Sequence, residues 1–121
     1  MTWTYIITNK NFLRDGVYQF SARYAGAPGY KDQARYQCLK NKGPLPSGTY
    51  RIGSPYLSSG TGPSTLPLLP EPDNNMCGRE AFLIHGDSLT SPGSASKGCI
   101  VIARSYRERI WQSRDRWLVV K

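Results

Sequence analysis

Short apolar runs, broken by Gly, Pro, Asn and Asp, recur along most of this chain. Trp3 to Thr8 alternates weakly and is rich in Trp, Tyr, Ile and Thr, which suit a pleated, half-buried surface and predict a first strand. Asn9 to Asn11 reads as a turn, and Phe12-Leu13 continues the edge. Asp15-Gly16 is a hairpin signal, and beyond it Val17 to Tyr24 sets Val17, Gln19 and Ser21 against Tyr18, Phe20 and Ala22. The expectation is a hairpin with one aromatic face in the core. Gly48 to Gly53, Glu80 to His85, Cys99 to Ala103 and Trp117 to Val120 predict further strands, the second and third of them buried. Arg104 to Ser113 has helical periodicity: Tyr106 and Ile110 are four apart with Ala103 and Arg107 beside them, so it predicts a short amphipathic helix with a basic polar face.

Two stretches carry no such pattern. Gly26 to Pro46 turns to Gly, Pro, Lys and Asn, leaving Cys38 and Leu39 as its burial candidates, and reads as a long loop. Ser54 to Cys77 holds Pro55, Pro63, Pro67, Pro70 and Pro72, which argue against helix or central strand, so it predicts a loop over one side of the fold. Its Ser58-Ser59-Gly60-Thr61-Gly62 lacks the Gly-Lys-Ser/Thr ending of a phosphate loop. The sum is one mainly β domain spanning 1–121, long enough for a single core.

Charge and cysteine count narrow the class. The net charge of +8 gathers toward the C-terminus, where Arg104, Arg107, Arg109, Arg114, Arg116 and Lys121 face only Glu108 and Asp115. Such an excess either solvates a face or attracts a polyanion. No nucleic-acid module motif accompanies it, so no nucleic-acid partner is expected. No apolar run approaches the roughly 20 residues that span a bilayer, and no basic, apolar leader opens the chain, so neither membrane insertion nor a cleaved signal is expected. Three cysteines, Cys38, Cys77 and Cys99, allow at most one internal disulfide. If Cys38 pairs with Cys77 in an oxidising compartment, Cys99 is left as the free thiol.

The chemistry concentrates in 82–102, FLIHGDSLTSPGSASKGCIVI, which holds the chain's one histidine, His85, then Asp87, then Cys99 after a Ser96-Lys97-Gly98 turn. Apolar runs deliver His85 at the end of one segment and leave directly from Cys99, so both fall at the rim of one core. An unperturbed thiol, with a pKa of about 8.5, is mostly protonated at neutral pH, and a nearby imidazole takes that proton during covalent acyl transfer. Gly98, without a Cβ, lets the backbone turn so that the N–H groups of Gly98 and Cys99 converge on one spot and hold an oxyanion.

The order His, then Ser-x-Gly-Cys, resembles the L,D-transpeptidase (YkuD) superfamily. The run His85-Gly86-Asp87, Pro92-Gly93, Ala95-Ser96-Lys97-Gly98-Cys99-Ile100 is similar to its Tlde1-type branch of type VI secretion effectors. Lys42-Gly43-Pro44-Leu45-Pro46-Ser47-Gly48-Thr49-Tyr50 looks like that branch's Gly-Pro segment, and Tyr24-Ala25-Gly26 like its Tyr-Ser-Gly element with alanine for serine. Lys97 stands where the wider superfamily has a second histidine, and Val101 where it has Arg or Asn, which leaves Arg104 as the expected clamp for a substrate carboxylate.

The resemblance implies an L,D-transpeptidase-like β-sandwich or barrel with long loops and one short helix after the cysteine. It implies a cofactor-free monomer that modifies peptidoglycan stem peptides through a Cys99 thioester, by L,D-carboxypeptidase action or D-amino acid exchange. His85 serves as base and then acid, with Asp87 or the Gly86 carbonyl orienting its ring. Tyr24, Ser96, Lys97 and Arg104 contact substrate, and the Pro46-Ser47-Gly48 turn walls the cleft. A cognate immunity protein, a secretion-apparatus carrier and action in the periplasm of a target bacterium complete that expectation.

Three other readings compete with this one. Zinc binding by Cys77, His85, Asp87 and Cys99 lacks a Cys-x-x-Cys or His-x-x-x-His pair. Papain-like and NlpC-type peptidases place Cys before His, the reverse of the order here. A wall-binding module that kept the fold and lost turnover is the non-enzymatic alternative.

Overall fold

A computed structural model describes residues 1–121. Strand β1 (Thr2–Ile6) turns into β2 (Asn11–Arg14), and β2 joins β3 (Val17–Ser21) through Asp15 and Gly16. Both turn residues have positive φ, 50° and 82°, the backbone that a twisted two-residue hairpin loop requires. Two residues later comes β4 (Tyr24–Ala25), and after a long connection β5 (Gly48–Ile52), β6 (Tyr56–Ser58) and β7 (Gly62–Pro70). Strands β8 (Leu83–His85) and β9 (Ile100–Val101), helix α1 (Arg104–Gln112) and β10 (Trp117–Val120) finish the chain.

The ten strands form one mixed sheet in the order β3-β2-β1-β10-β5-β7-β8-β9-β4, with β6 paired to β7 off this path. The C-terminal strand β10 sits centrally, parallel to β1 and antiparallel to β5. Strand β7 changes partner along its length, meeting β6 near Thr65, β8 at Leu66 and Pro67, and β5 from Leu68 to Pro70. The two ends of the path, β3 and β4, are separated in sequence only by Ala22 and Arg23, and Arg23 N–H donates to the Val101 carbonyl of β9 at 2.8 Å. That link folds the sheet over one core, which explains the sandwich-like character. The core is one cluster of 19 buried residues from both halves. Phe20 stacks on Tyr106 of α1 at 4.3 Å between ring centroids, so the hairpin and the helix share one aromatic seam.

The proline-rich 54–77 stretch departs from its expected loop, since β7 is a nine-residue strand in the middle of the sheet. Because its ladder changes partner along the strand, Pro63, Pro67 and Pro70 can sit where an amide hydrogen is not needed. In 26–46 the buried side chains are Pro44, Leu45 and Pro46, while Cys38 and Leu39, the expected candidates, are exposed; one turn of 3-10 helix, Ala34–Tyr36, interrupts the loop. Tyr18, expected inward, is exposed at the hairpin tip, where a register shift between Phe12 and Leu13 breaks the alternation. Cys38 and Cys77 form a disulfide across 39 residues of sequence, which in a chain-entropy account stabilises the fold by about 4 kcal/mol. No helix is long and apolar enough to cross a membrane.

Candidate active site

Strands β8 and β9 run parallel, with Ile84 opposite Ile100 and His85 opposite Val101. Alternation turns Ile84 and Ile100 into the core, both at 0% exposure, and leaves Leu83, His85, Cys99 and Val101 on the other face. Parallel pairing therefore puts the thiol one step before the ladder and the imidazole at its end, on the same side. The Leu83 N–H approaches Cys99 Sγ at 3.3 Å. Cys99 is the one free cysteine and is half-buried. His85 and Cys99 line one cleft of about 420 Å³ together with Arg79, Lys97 and Ala95.

His85 Nδ1 lies 2.7 Å from the Gly86 carbonyl oxygen. A carbonyl only accepts, so Nδ1 carries the proton and Nε2 is the acceptor nitrogen of the neutral ring. Gly86, rather than Asp87, orients the ring. Burial pushes the His85 pKa below its ordinary value, and the Arg107 charge adds to that against the Gly86 bond and Asp87. Burial pushes the Cys99 thiol up, opposed by the Leu83 N–H and by the charge of Arg79. Both shifts favour the uncharged forms, so the thiol and the imidazole that line this cleft are both neutral at rest.

Asp87 accepts from Tyr24 Oη at 2.6 Å, Ser88 N–H at 2.8 Å and Gly93 N–H at 3.1 Å, and Arg23 lies 3.8 Å away. Burial alone would raise its pKa, but these donors and the Arg23 charge hold the carboxyl below the usual range. Its contacts make it the anchor of the 87–95 loop. The Tyr24 hydroxyl also accepts from Ala95 N–H at 2.9 Å, and burial with the neighbouring Asp87 pushes that phenol up to about 12. Ser96 Oγ accepts from Gly26 N–H at 3.0 Å and Gly98 N–H at 2.9 Å and donates to the Cys99 carbonyl at 2.7 Å.

These bonds bear on two expectations. Tyr24 and Ser96, expected to contact substrate, are 4% and 2% exposed and bond the loop from behind. The Gly98 N–H is engaged by Ser96, so of the two main-chain donors expected at an oxyanion only the Cys99 amide, which lies beside its own sulfur, remains to be considered.

Lys97 is exposed at the cleft containing Cys99. Arg104 is exposed, pairs with Glu108 at 3.6 Å and lines a second, adjoining cavity of about 790 Å³ with Arg23, Asp87 and Arg107. Thr61, His85, Ser94 and Ala95 border both cavities, so His85 stands where they meet. The 42–50 segment backs the turn before Cys99 through Leu45 N–H, which donates to the Gly98 carbonyl at 3.0 Å. Its Pro46-Ser47-Gly48 turn, expected as a wall, lines neither cavity.

Two buried arginines escaped the sequence reading. Arg107, on the Tyr106 and Ile110 side of α1, turns inward and bonds the carbonyls of Ile102, Pro63 and Ser64 beside Gly86. Arg79 is 6% exposed and bonds four main-chain carbonyls, of Gln37, Pro44, Gly43 and Lys97. Burial lowers both pKa values. Nothing in the local pattern around Gly78-Arg79-Glu80 distinguishes Arg79 from a surface arginine.

The sequence profile of the Tlde1 domain matches residues 19–118. Among solved structures, the chain is similar to the helical cell shape determining protein Pgp2 from Campylobacter jejuni, at 18% identity and a TM-score of 0.59, covering 99% of this chain and 46% of that one. It is also similar to an L,D-transpeptidase (residues 123-326) from Xylanimonas cellulosilytica, at 13% identity and a TM-score of 0.54, covering 99% of this chain and 59% of that one. The chain spans about half the length of these structures and has the L,D-transpeptidase fold. No curated protein matches it.

Proposed function

The chain belongs to the Tlde1 domain family, and from that footing we propose that it is a peptidoglycan-acting cysteine enzyme that cleaves or exchanges the end of stem tetrapeptides. The observation that carries this reading is the placement of Cys99 and His85 on one face of adjacent parallel strands, lining one cleft, with His85 Nε2 left as the acceptor nitrogen.

In the proposed reaction the Cys99 sulfur attacks the carbonyl on the L-centre of the diamino acid at position three, and His85 Nε2 accepts the thiol proton. The tetrahedral intermediate collapses, the bond to the terminal D-alanine breaks, and His85 returns the proton to the departing amine. Water resolves the thioester to a carboxylate, whereas a free D-amino acid gives exchange and a second stem's side-chain amine a cross-link. A neutral resting pair suits this chemistry, because charge separates only as the sulfur attacks. Stem peptides are anionic, and Arg23, Arg104 and Lys97 at the two cavities provide matching charge.

The disulfide between Cys38 and Cys77 fits an oxidising, extracytoplasmic place of action. Delivery as an antibacterial effector, with its carrier and immunity partner, is the biological setting that the family suggests.

Mass spectrometry of purified muropeptides after incubation tests the reading. Loss of one alanine, gain of a D-amino acid or dimer formation identifies the acceptor, and Cys99→Ala is expected to abolish all three while keeping the wild-type melting temperature within a few degrees. Normal processing by Cys99→Ala removes Cys99 from the mechanism. A wild type that binds cell wall without changing any muropeptide marks a binding module.

A further inference from the structure

Arg79 is a buried guanidinium without a carboxylate partner. Four of its five N–H groups are bonded, to the carbonyl oxygens of Gln37 at 2.6 Å, Pro44 at 2.9 Å, Gly43 at 2.9 Å and Lys97 at 3.0 Å. All four acceptors are neutral, and no acidic side chain lies within ion-pair distance. Its positive charge is therefore not cancelled locally. Four carbonyl oxygens solvate the cation in place of water, so it stays buried and fixed, and its charge is available to negative charge that develops nearby.

That charge sits against the nucleophile turn. A Cβ placed on Gly98 would stand 2.6 Å from Arg79 Nη2 and 2.8 Å from the Phe82 ring, and Gly98 has φ +148°. Glycine at 98 is thus required for the guanidinium to pack where it does. The Lys97 carbonyl, two residues before the sulfur, is one of its four anchors. Arg79 and Cys99 line the same cleft, and the other ionisable groups there are Lys40, Glu80 and Lys97, all exposed, with buried His85. The disulfide locks the other side of this seat, since Cys77 lies two residues before Arg79 and Cys38 directly follows Gln37.

We propose that Arg79 is a positioning residue for Cys99: its carbonyl-caged guanidinium holds the Lys97-Gly98-Cys99 turn in place and supplies the fixed positive charge against which negative charge on the sulfur develops. This deepens the acyl-transfer reading and rests on it for its use, but the effect on the thiol is a property of the protein alone. No bond to Arg79 forms or breaks. The thiol proton goes to His85, and the arginine stays charged throughout.

Because Cys38 and Cys77 are paired, alkylation by iodoacetamide reports Cys99 alone. The rate is measured against pH for wild type, Arg79→Gln and Arg79→Lys, each checked for folding by near-ultraviolet circular dichroism. Arg79→Gln is expected to move the alkylation midpoint up by about one pH unit, which is about tenfold slower reaction below the midpoint. Arg79→Lys keeps a charge but cannot bond four carbonyls at once, so its midpoint is expected within a few tenths of a unit of wild type while its muropeptide turnover falls at least tenfold.

A folded Arg79→Gln with the wild-type midpoint overturns the proposal, as does Arg79→Lys shifting as far as the glutamine variant. Should Arg79→Gln fail to fold, Gly98→Ala carries the test, because its methyl group displaces the guanidinium while keeping the arginine; an unchanged midpoint there is the overturning result. Alkylation needs no muropeptide, so a wild type inactive on cell wall counts against the acyl-transfer reading without deciding the role of Arg79.

Discussion

The two halves of the sheet are built on different principles. From β3 through β2, β1 and β10 to β5 each ladder pairs four residues, and the inward side chains are Trp3, Tyr5, Phe12, Phe20, Tyr50, Leu118 and Val120. From β7 through β8 and β9 to β4 each ladder is two residues long. All of the buried polar and charged residues, Thr65, Arg79, His85, Ser96 and Arg107, belong to this second half or to the loops and helix packed on it. The first half is held by apolar area removed from water, which is non-directional and tolerant of small displacements. The second shares that core through Leu66, Ile84 and Ile100 and adds directed bonds to main-chain carbonyls, which contribute less net stability and fix geometry closely. A pair of reacting groups needs the second kind of support.

The sharpest way to break this contrast is to damage the first half. Phe12 is fully buried and packs on Trp3, Tyr5 and Phe20 at centroid distances of 6.4, 5.0 and 5.5 Å. Phe12→Ala is expected to cost about 3–5 kcal/mol in denaturant unfolding while kcat/KM of the folded protein stays within about twofold of wild type. A large loss of activity at unchanged fold would show that the halves are coupled.

A second expectation concerns protonation. In the proposed reaction neutral His85 is the base, and its pKa is lowered mainly by burial, so the acid limb of kcat/KM should lie below about pH 6.5. The Cys99 thiol is raised mainly by burial, so the alkaline limb should lie above about pH 8.5. Stability follows the same signs. Asp87, depressed in the fold, stabilises the protein above its unfolded value near about 4, and that contribution is lost as pH falls through its lower folded pKa. The unfolded His85 protonates first, below about 6.5, so stability also falls from there down to the folded pKa. Titration followed by rate and by melting temperature checks both, and an acid limb above pH 7 would contradict them.

The smallest expected effect is at the rim. Arg104 is exposed, engages only Glu108 at 3.6 Å one turn along α1, and lines the cavity that adjoins the one with Cys99. Arg104→Ala is expected to raise KM about threefold with kcat nearly unchanged and to weaken the salt dependence of the rate. Wild-type kinetics in that variant would make Arg104 a solvated helix residue.

Much of the architecture was legible because it is local. Asp15-Gly16 marks its hairpin through positive φ, Trp117 to Val120 marks its strand through β-branched and aromatic content, and Tyr106 with Ile110 marks α1 through a four-residue spacing. The proline-rich 54–77 stretch misled because the cost of a proline in a strand depends on which neighbour it faces, and neighbours are set by the fold. Tyr24 and Ser96 were recognised as motif positions, but only their bonds to Asp87 and Gly98 distinguish a scaffold from a contact surface.

Sequence alone determined the chemical types and their order: one histidine, a cysteine after a glycine, and apolar runs that end at the first and leave from the second. It could do so because side-chain alternation and turn preference act over a few residues. Tertiary structure alone decided that Gly86, not Asp87, holds the imidazole, that Gly98 N–H is engaged by Ser96, and that Arg79 and Arg107 are buried cations caged by carbonyls from distant loops. Those outcomes depend on contacts between segments tens of residues apart, where a main-chain carbonyl serves as partner whatever its side chain, so no residue type announces them.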